Sequence, residues 1–345
     1  MNSKERVRKA VNFIETDRPP FSATFTPEIA EKLGKISGDV KDIGVCFGHD
    51  MVKSTVGLET SYDACDAPTY VCKWGITWAN VKNSSGKYTE MINHPLHGHK
   101  SLIDDYSIPD PNEPTQYDHC REMIELYGVD KWIIGSCQCS IFESSWYLRG
   151  LDNFLMDLAL DEEYSKKLIE KVSKFAFGAA KNYIELGVDM VWFGDDIATQ
   201  SNMMISPEMW IKYFKPVYKE LFAYCKKLNP DIKIAYHSCG NLEDVIEDFI
   251  EIGLDVLNPI QPLAMNPEMI KQKYGDRLVL FGGLDVQITL PTGTPEQVRD
   301  EVNYLKDVLG KDGGFILNPA HHIQADTSID NIMAFYEEAT KVVER

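Results

Sequence analysis

The chain has 345 residues, 44% of them hydrophobic, with 35 Lys and Arg against 53 Asp and Glu, for a net charge of −18. That length excludes a small stapled module and allows a large core, and so acidic a surface repels phosphate backbones and anionic membranes, which disfavours nucleic acid as a partner. No run reaches the roughly 18 apolar residues of a membrane span, and Met1-Asn2-Ser3-Lys4-Glu5-Arg6 leads directly into an amphipathic helix without an apolar signal stretch; a cytoplasmic location away from membranes is expected.

After the opening helix, residues 20–26 read as a strand. The next readable feature is residues 60–115, where Trp74-Gly75-Ile76-Thr77-Trp78, His94-Pro95-Leu96 and a Pro/Asp-rich stretch break the rhythm; this reads as a β-hairpin insertion near the mouth of a larger domain. From residue 131 onward, short β-branched or aromatic runs alternate with helical patterns, the signature of βα units around a parallel sheet. The strands fall at 131–137, 188–195, 232–238, 254–260, 277–283 and 314–318, and the helices at 161–186, 206–228, 242–252, 266–274, 295–310 and from about 328. Ser206-Pro207-Glu208 and Thr294-Pro295-Glu296 each place a capping hydroxyl before a proline at the first helical position. Seven strands are readable and an eighth is not. With neither a GxGxxG nor a Walker motif, the series predicts an α/β fold, a (β/α)8 TIM barrel formed as a single domain over 1–345 with 60–115 inserted in it.

In such a barrel the chemistry gathers at the C-terminal strand ends. The end at 137 carries Cys137-Gln138-Cys139 and, shortly after, Glu143; with no histidine close by, the cysteine pair is a weak metal candidate. Trp192 precedes Asp195 and Asp196, a pair of carboxylates suited to acid/base work, and Gln200 follows. The next end reads His237-Ser238-Cys239-Gly240. Side chains alternate along a strand, so His237 and Cys239 point the same way, and two such donors at a strand end make half of a zinc site. Asn258 and Asp285 occupy the next two ends, Asp285 facing the mouth after Gly282-Gly283. The last strand leads into His321-His322, of which alternation aims only one inward; His321 is the favoured third ligand. The eight cysteines are scattered along the chain and read as reduced thiols, most of them simply buried.

Asp17-Arg18-Pro19-Pro20, Trp74-Gly75-Ile76, Leu148-Arg149-Gly150, Gly194-Asp195-Asp196, Ser206-Pro207-Glu208-Met209-Trp210, His237-Ser238-Cys239-Gly240, Gly282-Gly283-Leu284-Asp285 and Ile316-Leu317-Asn318-Pro319 together span nearly the whole chain. In these the chain resembles the uroporphyrinogen-decarboxylase-like superfamily, and within it the corrinoid-dependent methyltransferases. The decarboxylases carry an Arg-Gln-Ala-Gly-Arg run shortly after the first strand. Here that place reads Phe25-Thr26-Pro27-Glu28-Ile29, without arginine. The zinc methyltransferases share the HxC element and take a cysteine as third ligand after the last strand, where this chain has His321. Replacing a thiolate by imidazole leaves a more Lewis-acidic metal, which suits removal of a methyl group from a substrate.

The resemblance therefore implies a Zn2+ enzyme that moves a methyl group from a small methylated donor, a methoxyaromatic among the candidates, to the Co(I) corrinoid of a partner protein, with a homodimer left open. Asp195, Asp196, Glu143 and Asp285 are its expected catalytic acids, and Trp192, Gln200, Asn258 and His322 its expected substrate contacts. Transfer in the opposite sense, from methyl-corrinoid to a thiol or folate, is the alternative chemistry, and a non-catalytic binding barrel without metal is the alternative class.

Overall fold

Ten strands form among the described residues of a computed structural model, which describes 1–38, 42–58, 67–83 and 86–342: β1 (Met51–Gly57), β2 (Thr69–Val71), β3 (Thr77–Asn83), β4 (Gly86–Asn93), β5 (Trp132–Gln138), β6 (Met190–Gly194), β7 (Lys233–His237), β8 (Val256–Ile260), β9 (Val279–Leu284) and β10 (Phe315–Pro319). Seven of them make one parallel sheet in the order β1-β5-β6-β7-β8-β9-β10. Residues 20–26 close it. On one side Leu317 N–H donates to the Pro20 carbonyl at 2.9 Å and Thr26 N–H to that of Ile323 at 3.0 Å. On the other, Asp50 N–H, just before β1, donates to the Phe21 carbonyl at 3.0 Å. Eight staves thus complete a TIM barrel, as expected, and β1 is the stave that the sequence pattern left unplaced.

Strand alternation sorts the apolar residues into two layers. Met51, Trp132, Ile134, Met190, Trp192, Ala235, Val256, Val279, Phe281 and Ile316 pack inside the barrel, joined by Val7 and Val11 from the opening helix. Their neighbours, such as Val191, Phe193, Leu257 and Leu280, face the surrounding helices. Strands buried on both faces are what a parallel sheet covered by helices requires. β1 hides from this pattern because its inward positions are Met51 and then Lys53, and Ser54 and Thr55 follow, so no apolar run marks it.

The end of the barrel opposite the strand C-termini is fastened by charge. Fully buried Asp50 accepts from Arg6 at 2.7 Å, from Arg18 at 2.6 Å and from Phe21 N–H at 2.9 Å. That arrangement ties the opening helix, the 20–26 segment and β1 into one corner, and removing one partner of such a buried network strands a charge at about 3–5 kcal/mol. At the other end, where a hairpin is expected, β2, β3 and β4 form a three-stranded antiparallel sheet. Its buried Trp78 packs edge-on against Tyr147, 5.9 Å between ring centroids, which sets the sheet beside helix Phe142–Arg149 at the mouth.

Candidate metal centre and cavity

β7 ends on His237, paired in register with Gly194 of β6 and Asn258 of β8. The chain beyond it is held by its neighbours. Ser238 N–H donates to the Asn258 carbonyl at 2.9 Å, and Cys239 N–H donates to Asp196 Oδ1 at 2.8 Å. Gly240 then turns away with φ +94°, where a Cβ would stand 2.4 Å from the Thr199 carbonyl oxygen; only glycine fits. The HSCG run therefore reads as two inward donors followed by a compulsory turn.

His237 Nε2 lies 3.7 Å from Cys239 Sγ and 3.6 Å from Asp196 Oδ1, and one ligand atom of each of the three residues lies within 4.8 Å of the others. Asn258 sets the tautomer. Its amide nitrogen donates to the Phe281 carbonyl at 3.3 Å, which turns its Oδ1 toward His237 Nδ1, 2.6 Å away. An acceptor at that distance requires Nδ1 to carry the proton, leaving the lone pair on Nε2, toward Cys239 and Asp196. Burial, with the negative charges of Asp196 and Glu143, pushes the Cys239 thiol well up.

The two histidines after β10 line a cavity of about 590 Å³ with His237, Asp196 and Asn258. Burial first, then repulsion from His237, lowers the pKa of His321; burial pushes His322 down to about 3. Both rings are thus favoured in the neutral, ligand-competent form. His321, the expected third ligand, does not belong to the group of ligand atoms within 4.8 Å, whose third member is Asp196. Trp192 forms an inner wall, its ring 6.1 Å from that of His237 and 5.5 Å from Phe281.

The four expected catalytic acids separate in space. Asp196 and Glu143 line the cavity. Burial and the charges of Asp196 and Asp195 raise the Glu143 pKa well above the usual carboxylate range, although Asp196 N–H donates to it. Asp195 is fully buried and does not line the cavity: its carboxylate accepts N–H bonds from Ile141, Phe142 and Glu143 at 2.8–3.0 Å and the hydroxyl of Tyr218. Burial outweighs these donors and pushes it up to about 6. Asp285 likewise is spent on backbone, accepting from Gln287, Ile288 and Thr289 N–H at 2.8–3.0 Å instead of facing the cavity. Gln200, expected at the substrate, sits at the exposed rim bridging to Leu263 and Gln287.

Among the cavity residues beyond those expected from sequence, Lys53 and Cys139 carry reactive groups. Lys53 was hidden because its strand was. Cys139, which the sequence offers only as a partner for Cys137, lines the cavity beside Glu143 and Tyr147, on a backbone at φ 51°.

The sequence signature of the uroporphyrinogen decarboxylase (URO-D) family matches residues 79–342. Among individual proteins, the chain is 24% identical to methylcobamide:CoM methyltransferase of Methanosarcina acetivorans, covering 97% of this chain and 96% of that one. It is 23% identical to the methylated-thiol–coenzyme M methyltransferase of Methanosarcina mazei, over 84% of this chain and 69% of that one. A solved methyltransferase from Methanosarcina mazei superposes with a TM-score of 0.74 over 98% of each chain at 16% identity.

Proposed function

The chain belongs to the uroporphyrinogen decarboxylase family, and we propose that it is a zinc-dependent methyltransferase, moving a methyl group from a small methylated substrate to a reduced corrinoid carried by a partner protein. The observation that carries this reading is the Nε2 lone pair of His237, fixed by Asn258 and facing Cys239 and Asp196. Three donors around a tetrahedral zinc, with bonds of about 2.0–2.3 Å, stand about 3.3–3.8 Å apart; 3.6 and 3.7 Å fall in that range. A nitrogen, a sulfur and an oxygen donor make a set that zinc accepts. The named relatives that span most of this chain are methyltransferases, and no arginine lines the cavity among the described residues to hold a porphyrinogen's carboxylates.

His237, Cys239 and Asp196 would hold the ion. His321 would present a neutral imidazole beside it. A zinc ion bound there supplies Lewis acidity at the atom that gives up the methyl group. Glu143, held toward its neutral form, gives that atom a proton as the methyl group departs, and Asn258 keeps His237 oriented throughout. Loss of zinc should be greater in Asp196→Asn than in His321→Ala; the reverse order would return the third place to His321.

A second reading is favoured by the names of the relatives, which act on coenzyme M or methylated thiols: the methyl group would pass from methyl-corrinoid to a thiol, with ionised Glu143 as proton acceptor. Mixing the zinc-loaded protein and cob(I)alamin with methyl ethers and methyl thioethers tests both. The proposal expects the absorbance of the reduced corrinoid to disappear, and Glu143→Gln to slow this by about 100-fold or more at unchanged zinc content. Demethylation of methylcobalamin by thiols alone would select the second reading, and no transfer in either direction would contradict both.

A further inference from the structure

Lys53 is the one cation besides histidine on the cavity wall among the described residues. It shares the inner face of β1 with Met51, in register with Ile134 of β5, and its amine stands 5.0 Å from the centre of the Trp192 ring. The cations that are buried outright among the described residues each meet an acid: Arg6 and Arg18 meet Asp50, Arg149 meets Asp157, and Lys306 lies 4.0 Å from Glu338. Among the described residues no carboxylate comes within 4.0 Å of Lys53, and burial alone shifts it, down to about 8. A partly desolvated ammonium without a counter-charge is costly, and an anion that enters with a ligand relieves that cost.

The wall has a matching shape. Trp192 faces Lys53 with its ring and His237 with the same indole, so one aromatic residue separates the lone cation from the candidate metal centre. Phe281 stands edge-on to it. Lys53 and His237 line the same cavity, so a flat spacer lying along Trp192 would carry an anionic group toward one and the methylated atom toward the other.

From this we infer that Lys53 is the anchor for an anionic substrate, a carboxylate or sulfonate whose opposite end carries the methyl group to the metal centre. Which end meets the metal rests on the methyl-transfer reading; the anion-binding role of Lys53 does not. Substrate recognition then comes from one charge-assisted hydrogen bond beside the Trp192 ring, where partial burial strengthens it.

Calorimetric titration with para-methoxybenzoate, para-methoxybenzenesulfonate and neutral para-methoxybenzamide tests the assignment on the full chain. Wild-type protein should bind at least one of the anions about 10- to 100-fold more tightly than the amide; which anion binds better distinguishes carboxylate from sulfonate. The preference should vanish in both Lys53→Met and Lys53→Gln, survive in Lys53→Arg, and leave zinc content unchanged. It should also persist in zinc-free His237→Ala, so that a failure of the metal reading leaves the anion anchor standing. Equal binding of anions and amide, a preference kept in Lys53→Met or Lys53→Gln, or no binding of either anion at millimolar concentration would overturn it.

Discussion

Asn258 decides which nitrogen of His237 faces the cavity, and it does so through two contacts of its own, one to the ring and one to the Phe281 carbonyl. Asn258→Leu keeps the bulk and removes the acceptor, so Nδ1 is no longer obliged to carry the proton. Zinc affinity, measured by competition with a chelator, should fall about 10- to 100-fold, the usual loss when a ligand's orienting partner is removed; unchanged affinity would mean that the ring needs no such help. At this scale the sequence was informative where alternation is a sufficient rule, as for His237 and Cys239, and uninformative where it is not. Asp195 and Asp196 are chemically identical neighbours, and only the three N–H groups of residues 141–143 reveal that the first is consumed as an anchor. Asp285 is lost in the same way to the loop that follows it. The donors to Asp195 cannot be inferred from a strand-end motif, because its backbone partners lie more than fifty residues away, whereas those of Asp285 are the local N–H groups of the turn that follows it.

Helix Phe142–Arg149 brings Glu143 to the cavity, and its first turn is held by a residue from another strand. Asp195 takes the part that a capping residue usually plays, accepting the orphan N–H groups at the helix start, and Tyr218 reaches the same carboxylate from helix Lys215–Leu228. Asp195→Asn keeps the shape but sets an amide donor against backbone donors. It should destabilise the protein by about 1–3 kcal/mol in urea unfolding and slow methyl transfer by displacing Glu143, with zinc content unchanged. Loss of zinc at undiminished stability would show instead that Asp195 acts on the metal centre. Among elements, strands made of continuous apolar runs were readable, and β1 was not, because Lys53 and Ser54 stand where the pattern needs apolar residues. The residue that hid the strand is the one assigned to the substrate's charge. The insertion is readable as antiparallel β structure from its aromatic rhythm, but its first strand, β2, only Thr69–Val71, is too short to register in a pattern.

Across the whole molecule, fastening and chemistry sit at opposite ends of the barrel. Arg6, Arg18 and Asp50 close the bottom, whereas His237, Asp196, Glu143 and Lys53 gather at the cavity on the other side, the division expected when catalytic residues occupy the C-terminal strand ends. Removing a metal ligand should therefore empty the site without unfolding the barrel. Metal analysis of protein purified without chelator reads that site directly. Stoichiometric zinc is expected in the wild type and its loss in both His237→Ala and Cys239→Ala, with thermal unfolding of either variant matching that of wild-type protein stripped of metal. A wild-type chain free of metal, or either variant with full zinc occupancy, would contradict the proposed metal centre.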